Sequence, residues 1–202
     1  MDEKTGSLEL LIEMGNQIDK TYGITIGLGA SILAHRDAYK EIKRNILGSL
    51  HEFTFDDLKA LISEYQNRVI GGRKAIARGL FTGALASILT GINKEKGRPT
   101  RIILDGDNSY FPYLLYCADY LDEVYISSFR GNYILAGAAG DEGGRVKKIR
   151  LTNIRGNHAG ADIARDGGTA DEIFFADING NQAGEDIASY GGNAGRLVFN
   201  RI

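Results

Sequence analysis

Residues 153–175 lie over residues 177–199 without a gap and agree at 12 of 23 positions. This internal repeat restricts the possible folds more than any other feature of the chain. Gly156-Asn157, Ala159-Gly160, Asp162-Ile163-Ala164 and Gly167-Gly168 return as Gly180-Asn181, Ala183-Gly184, Asp186-Ile187-Ala188 and Gly191-Gly192. An earlier unit keeps Gly131-Asn132 and Gly143-Gly144. Four asparagines, Asn108, Asn132, Asn157 and Asn181, follow strand-like runs at spacings of 24, 25 and 24 residues, and Leu197-Val198-Phe199 supplies a fifth run.

Each unit reads as a strand, a Gly-Asn corner, a small-residue stretch forming a short helix or turn, and a Gly-Gly reversal. Units that repeat in this order point their strands the same way, so each strand needs a crossover to reach the next. Two architectures meet that condition. In a solenoid, equivalent residues stack, and buried asparagines form an amide ladder between turns. In an open, doubly wound sheet, the small-residue stretches become covering helices. Near-identity between units and short connections favour the solenoid. Against it, Ser109 to Leu121 reads as an amphipathic helix, with Tyr110, Leu114, Cys117 and Leu121 on one side. The expected fold class is α/β: a helical N-terminal domain, residues 1–98, followed by a parallel-strand repeat of about 24 residues over 101–202. A β-solenoid is preferred, and a Rossmann-like open sheet is the alternative.

The N-terminal half carries helical spacing at Leu8, Leu10, Leu11, Met14 and Ile18, with a break expected at Tyr22-Gly23 and a short strand at Ile24 to Leu28. A second helix is expected from Ile32 to Leu47. A third begins at the capping-box-like pair Thr54 and Asp57 and runs to about Val69. A fourth spans Arg73 to Ile92, and its small residues Gly79, Gly83, Ala84 and Ser87 permit close approach of a packed neighbour. Its most apolar part, Gly79 to Ile92, is too short to span a bilayer and reads as a buried helix. Gly27 to Ser31 has the outline of a phosphate loop without its Lys-Ser/Thr pair. His35, Arg36 and Asp37 read as a solvated cluster, and Lys94 to Thr100 as a linker.

With 24 basic and 26 acidic residues in 202, the chain has no global attraction to nucleic acid or anionic membrane. One cysteine, Cys117, excludes an intramolecular disulfide and a Cys-based zinc site. The N-terminus lacks the basic-then-apolar order of a signal peptide, so a cytoplasmic setting is expected. Arg68 to Arg101 concentrates eight basic residues against Glu95 alone. Arg73, Lys74 and Arg78 in this stretch are the anion-binding candidates; a solvated face plus a basic linker is the plainer reading.

The pattern Gly-Asn, Ala-Gly, Gly-Gly, then an apolar strand, over Gly131 to Ile202, resembles the GXGXG-motif β-helix domain. That domain ends the large subunit of glutamate synthase and also makes up one whole subunit of formylmethanofuran dehydrogenase. The resemblance implies a structural or subunit-contact role and supplies no catalytic residues.

Asp105-Gly106-Asp107-Asn108 follows a strand and resembles the first acidic motif of PIN/NYN-type nucleases, and also the Asp-x-Asp loop of haloacid dehalogenase-like phosphatases. For the phosphatase, no later Lys and acidic-pair motif is found. Carried over by the nuclease resemblance, Asp105, Asp162 and Asp177 would ligate Mg²⁺, with Asp107 accessory. Turn closure and capping explain the same residues without a metal. His158 has no partner cluster and is expected to be exposed. The leading expectation is therefore a binding or assembly protein without assigned catalysis or cofactor. It is expected to form a homo-oligomer or to meet a protein partner through its last strand, because sheet edges need covering. The alternative is a Mg²⁺-dependent nuclease that meets nucleic acid through the basic stretch.

Overall fold

Four helices precede five parallel strands that stack in sequence order, β1-β2-β3-β4-β5. In the computed structural model, residues 3–25, 32–50, 52–68 and 71–202 are described. The helices are α1 (Glu3–Thr25), α2 (Ile32–Ser49), α3 (Phe55–Tyr65) and α4 (Gly72–Glu95). The strands are β1 (Arg101–Tyr110), β2 (Tyr120–Arg130), β3 (Arg145–Arg155), β4 (Thr169–Asn179) and β5 (Asn193–Asn200). Each of the first four strands is followed by an irregular return arc that brings the chain back beneath the next one. The C-terminal half is thus a β-solenoid of four complete coils and a fifth strand, and the open-sheet alternative falls.

Register fixes the period. Ile102, Val124, Ile149, Ile173 and Leu197 are successive partners across the sheet. Alternation along each strand turns these residues, with Leu104, Ile126, Leu151, Phe175 and Phe199, toward the interior. The first four pairs are no more than 2% exposed.

The arcs make a second ladder of their own. Tyr133, Leu135, Gly137 and Ala139 all have positive φ, and so do their equivalents His158, Gly160, Asp162 and Ala164 in the next arc and Tyr113, Leu115 and Cys117 in the one before. Reversing the backbone at every second residue aims N–H groups alternately at the coil above and the coil below. Tyr133 N donates upward to Asn157 O at 2.9 Å, and Leu135 N downward to Leu114 O at 2.8 Å. Covering helices are absent because this geometry pairs the arc's backbone without them.

The two glycine motifs do different work. Built on Gly156, a Cβ would lie 2.1 Å from Gly131 O, and the same contact recurs between Gly180 and Gly156. In each Gly-Gly pair the first residue holds positive φ (Gly167, +88°); in the last two pairs the second passes against a carbonyl of the coil below, Gly168 against Ala139 O and Gly192 against Ala164 O. Asn157 N donates to Asn132 Oδ1 and Asn181 N to Asn157 Oδ1, both at 2.9 Å. The ladder expected of these asparagines exists, but it runs from side chain to backbone at a solvated corner rather than between buried amides.

Asn108 does not join that ladder. The β1–β2 pairing slips between Asp105 and Ser109, and Tyr110 pairs with Arg130. Pro112 therefore holds the place of Asn132, and the spacing of 24 from Asn108 is coincidental. The helix expected over Ser109 to Leu121 is also absent. Ser109 and Tyr110 end β1, 111–119 form the first arc, and Tyr120 and Leu121 begin β2. Leu114 and Cys117 are buried as arc residues.

Among the helices, α1 runs through Tyr22-Gly23 to Thr25 without the expected break, so Ile24 and Thr25 are helical; the rest of the strand expected to Leu28 lies outside the described residues. Gly27 to Ser31 lie outside the described residues. Thr54 and Asp57 form the capping box, and α3 ends at Tyr65, short of Val69. Helix α4 is buried from Ala75 to Thr90. It is long and apolar enough to cross a membrane, but most of that apolar window is enclosed by the rest of the protein. The segment after it is tied down: Asn93 Nδ2 reaches Thr100 Oγ1 at 3.0 Å, and Thr100 N donates to Asp122 Oδ2 at 2.8 Å. Helices and coils share one hydrophobic core.

The small residues of α4 meet the first coil. Gly79 and Gly83 lie against Tyr113 O and Tyr116 O, where a Cβ would come within 2.2 and 2.3 Å. Leu115 N and Asp119 N are the downward-pointing groups of the first arc, equivalent to Leu135 N and Ala139 N. With no coil below, Leu115 N donates to Thr82 Oγ1 (3.3 Å) and Asp119 N to Ser87 Oγ (3.1 Å). Helix α4 is a stopper whose hydroxyls replace a missing coil. Thr82→Val keeps the shape and leaves a buried N–H unpaired. It is expected to lower stability by about 1–3 kcal/mol, read as a shift in the urea midpoint, while the exposed Ser63→Ala leaves that midpoint unchanged.

Candidate functional site

The helix that seals one end of the solenoid has no counterpart at the other. Leu197 and Phe199 occupy interior positions of the fifth strand, yet they are 44% and 46% exposed, against 0% for Ile173 and Phe175 one coil earlier. Phe199 packs edge-on against Phe175 at 5.4 Å between ring centres, and its other side is uncovered. Tyr190, on the last arc, is 71% exposed. His158 N, Asp162 N and Asp166 N donate to Asn181 O, Glu185 O and Ser189 O of the arc above. Their equivalents in the last arc, Gln182 N, Asp186 N and Tyr190 N, meet no further arc. The open end therefore combines exposed core side chains with outward backbone donors, the two features that make a sheet edge adhesive. The sequence marked the last strand as an edge. The exposure of Leu197 and Phe199 showed only once the register was known.

The acidic residues singled out in the sequence do not gather. Asp105 and Asp107 share the irregular end of β1, where Asp107 N donates to Asp105 Oδ1 at 3.2 Å. Asp177 lies on β4, three strand spacings or about 14 Å farther along the solenoid, and pairs with Arg201 at 3.4 Å. Asp162 sits on the third arc with the Arg165 guanidinium 2.5 Å away. Among the described residues, no group of three or more His, Cys, Asp or Glu side chains is placed to share a metal ion. Millimolar Mg²⁺ is expected to leave the melting temperature unchanged. A rise that Asp105→Asn removes would restore the metal reading.

The basic candidates also separate. Arg78 is buried, bonded to Asp19 through Nη2 at 2.7 Å and Nε at 3.0 Å, and lies over the Tyr65 ring. Arg73 and Lys74 stand exposed on the first turn of α4. His35 and Arg36 are not solvated as expected; only Asp37 is exposed. His35 Nδ1 lies 3.0 Å from the Tyr116 hydroxyl. Arg36 reaches Asp141 (3.3 Å) and Asp166 (2.6 Å), tying α2 to two successive coils. His158 is half-buried and stacks on Tyr133 at 4.5 Å, continuing the Tyr113–Tyr133 stack at 5.0 Å.

A cleft of about 680 Å³ opens between α2, α4 and the coils they cover. Both of its lysines are paired. Lys43 meets Asp119, and Lys40 meets Asp141, each at 2.7 Å. Burial, then the charge of Asp119, raises the Tyr39 phenol well above its ordinary value, so it stays a hydrogen-bond donor 2.8 Å from Asp119 Oδ1. Burial likewise pushes the Cys117 thiol up, away from the reactive thiolate. The cleft binds the helices to the coils with paired charges, Lys43 to Asp119 and Lys40 to Asp141.

Fold and site together define a β-solenoid stoppered by helices at its first coil and open at its last. Compared with family models, curated proteins and solved structures, the chain matches none.

Proposed function

We propose that this protein is an assembly module whose working surface is the open end of the solenoid. One observation carries the reading: interior positions kept dry in four coils are half exposed in the fifth. Uncovered core side chains bordered by strand edge groups are the composition of an interface awaiting a partner. The resemblance of Gly131 to Ile202 to the GXGXG-motif domain, with its implied subunit-contact role, agrees with this reading. The nuclease alternative finds less support, since Asp105 and Asp107 lie together at the end of β1 while Asp162 and Asp177 stand on the third arc and on β4. We further propose that assembly takes place in the cytoplasm, where a lone thiol such as Cys117 is unexceptional.

The test places a photo-reactive phenylalanine analogue at position 190 in cells that make the protein. Illumination is expected to give a defined covalent adduct. Leu197→Asp with Phe199→Asp is expected to reduce that adduct at least tenfold, since two charges at the centre of an apolar contact oppose its burial. Absence of any adduct from the unaltered surface would overturn the reading.

A further inference from the structure

We infer that the partner at the open end is a second copy of this chain, related by a two-fold axis parallel to β5, so that the β5 of each copy lies across the last arc of the other. The inference rests on the assembly reading and names its occupant.

The end surface is a step. On the sheet side it rises to β5; on the arc side it stops one level lower, at residues 180–192. Rotation about an axis parallel to β5 sets the high side of one copy over the low side of the other, and the two steps interlock. Each β5 then stands where the other copy lacks a fifth arc. The four side chains of Leu197 and Phe199 close on one another, and the outward N–H groups of the last arc face a strand.

Charge selects this arrangement over the other two ways of joining copies. The arc 180–192 carries Glu185 and Asp186 and no basic residue; residues 193–202 carry Arg196 and Arg201 and no acidic one. Arg196 is the fourth of eight residues in β5 and Asp186 the seventh of the arc's thirteen, so both lie near mid-length and come opposite each other. Strand on arc therefore sets cations against anions. A two-fold axis that set strand on strand would bring together two copies of β5 that carry only cations, and two arcs that carry only acids. The outer face of the sheet gives the same preference. Its row Arg101, Glu123, Lys148, Glu172, Arg196 alternates in sign along the register and ends on a cation at the open end. Head-to-tail stacking is blocked because α4 occupies the first coil. An isologous contact of this kind closes on itself as a dimer.

The experiment measures the mass of the purified 202-residue chain by light scattering between 1 and about 100 µM, a range that brackets micromolar self-association. The expected mass at the upper end is twice 22.0 kDa. Arg196→Glu with Arg201→Glu, and separately Glu185→Arg with Asp186→Arg, are each expected to weaken the dimer at least tenfold. All four substitutions in one chain restore it. Hydrogen exchange on the unaltered chain supplies a reading independent of variants: dilution should speed exchange in 180–192 and 193–200 together and leave 101–110 unchanged. A mass of one chain at 100 µM overturns the inference, as does a dimer indifferent to both charge reversals or exchange that dilution does not alter. The two readings fail separately. A position-190 adduct carrying a different protein, with the purified chain monomeric, removes the second copy and leaves the assembly module standing. No adduct removes both.

Discussion

Gly168→Ala is expected to cost about 3 kcal/mol or more, and Gly192→Ala, the same change one coil later, about half as much. At both positions a Cβ would lie 1.6 Å from a carbonyl oxygen of the coil below, Ala139 O for Gly168 and Ala164 O for Gly192. Contacts that short are relieved only by moving backbone, and overpacking of this kind costs about 1–3 kcal/mol even where side chains can yield. The difference between the two sites comes from the one-dimensional character of a solenoid, in which each coil contacts only its neighbours. Above Gly168 lie β4, the last arc and β5, so a shift there propagates through two sheet pairings. Above Gly192 lies β5 alone, which can lift away at the expense of one pairing. Equilibrium urea unfolding of the two variants checks the prediction. Equal losses would show that the solenoid unfolds as a single block rather than fraying from its open end. Gly167→Ala makes the complementary case. No atom crowds that position, but φ is +88°, so the change carries only the smaller cost of a strained backbone, about 1 kcal/mol.

These glycines explain how much of the fold could be read from the sequence. Gly-Asn and Gly-Gly recur because each coil must turn where its neighbour's backbone already stands, as at Gly156 and Gly168, or through a positive φ, as at Gly167. Such a constraint is local and repeats with the coil, so it leaves a period in the chain. The first coil leaves no such mark for the same reason. Its arc, 111–119, runs directly into β2 without the Gly-Gly reversal, and α4 rather than another coil lies beneath it. Leu114, Cys117 and Leu121 mimic a helical stripe because an arc with reversed φ at alternate residues, running into a strand, also buries side chains at irregular intervals, while Tyr110 at the end of β1 is exposed. A periodicity of apolar residues cannot separate the two. The open end was legible only in part. Leu197 and Phe199 look like any other strand pair, and their exposure depends on the absence of an arc above them, which is a property of the stack. The aspartates misled because a carboxylate beside a turn reads alike whether it binds metal, caps the turn or pairs with an arginine three residues on, as Asp162 does with Arg165.

Arg78→Met is expected to destabilise the protein by about 3–5 kcal/mol, and Asp19→Leu introduced with it to restore most of that loss. The Arg78 and Asp19 side chains are each 9% exposed, and they join α4 to α1 in the interior of the helical layer. Removing the arginine alone leaves a carboxylate where water cannot reach it. Neutralising that carboxylate costs far less than burying it charged, so the single variant should unfold more readily as pH rises above the carboxylate range. The double variant should not share that dependence. Methionine suits the site because its unbranched chain can follow the path of the guanidinium stem across the Tyr65 ring, which lies 4.4 Å from the arginine's central carbon. The comparison also tests whether the basic stretch serves anions at this residue. If Arg78 bound a phosphate in solution, inorganic phosphate would raise the melting temperature of the unaltered protein and not of the double variant. With its guanidinium already committed to Asp19, the expected result is that phosphate moves both by the same small amount.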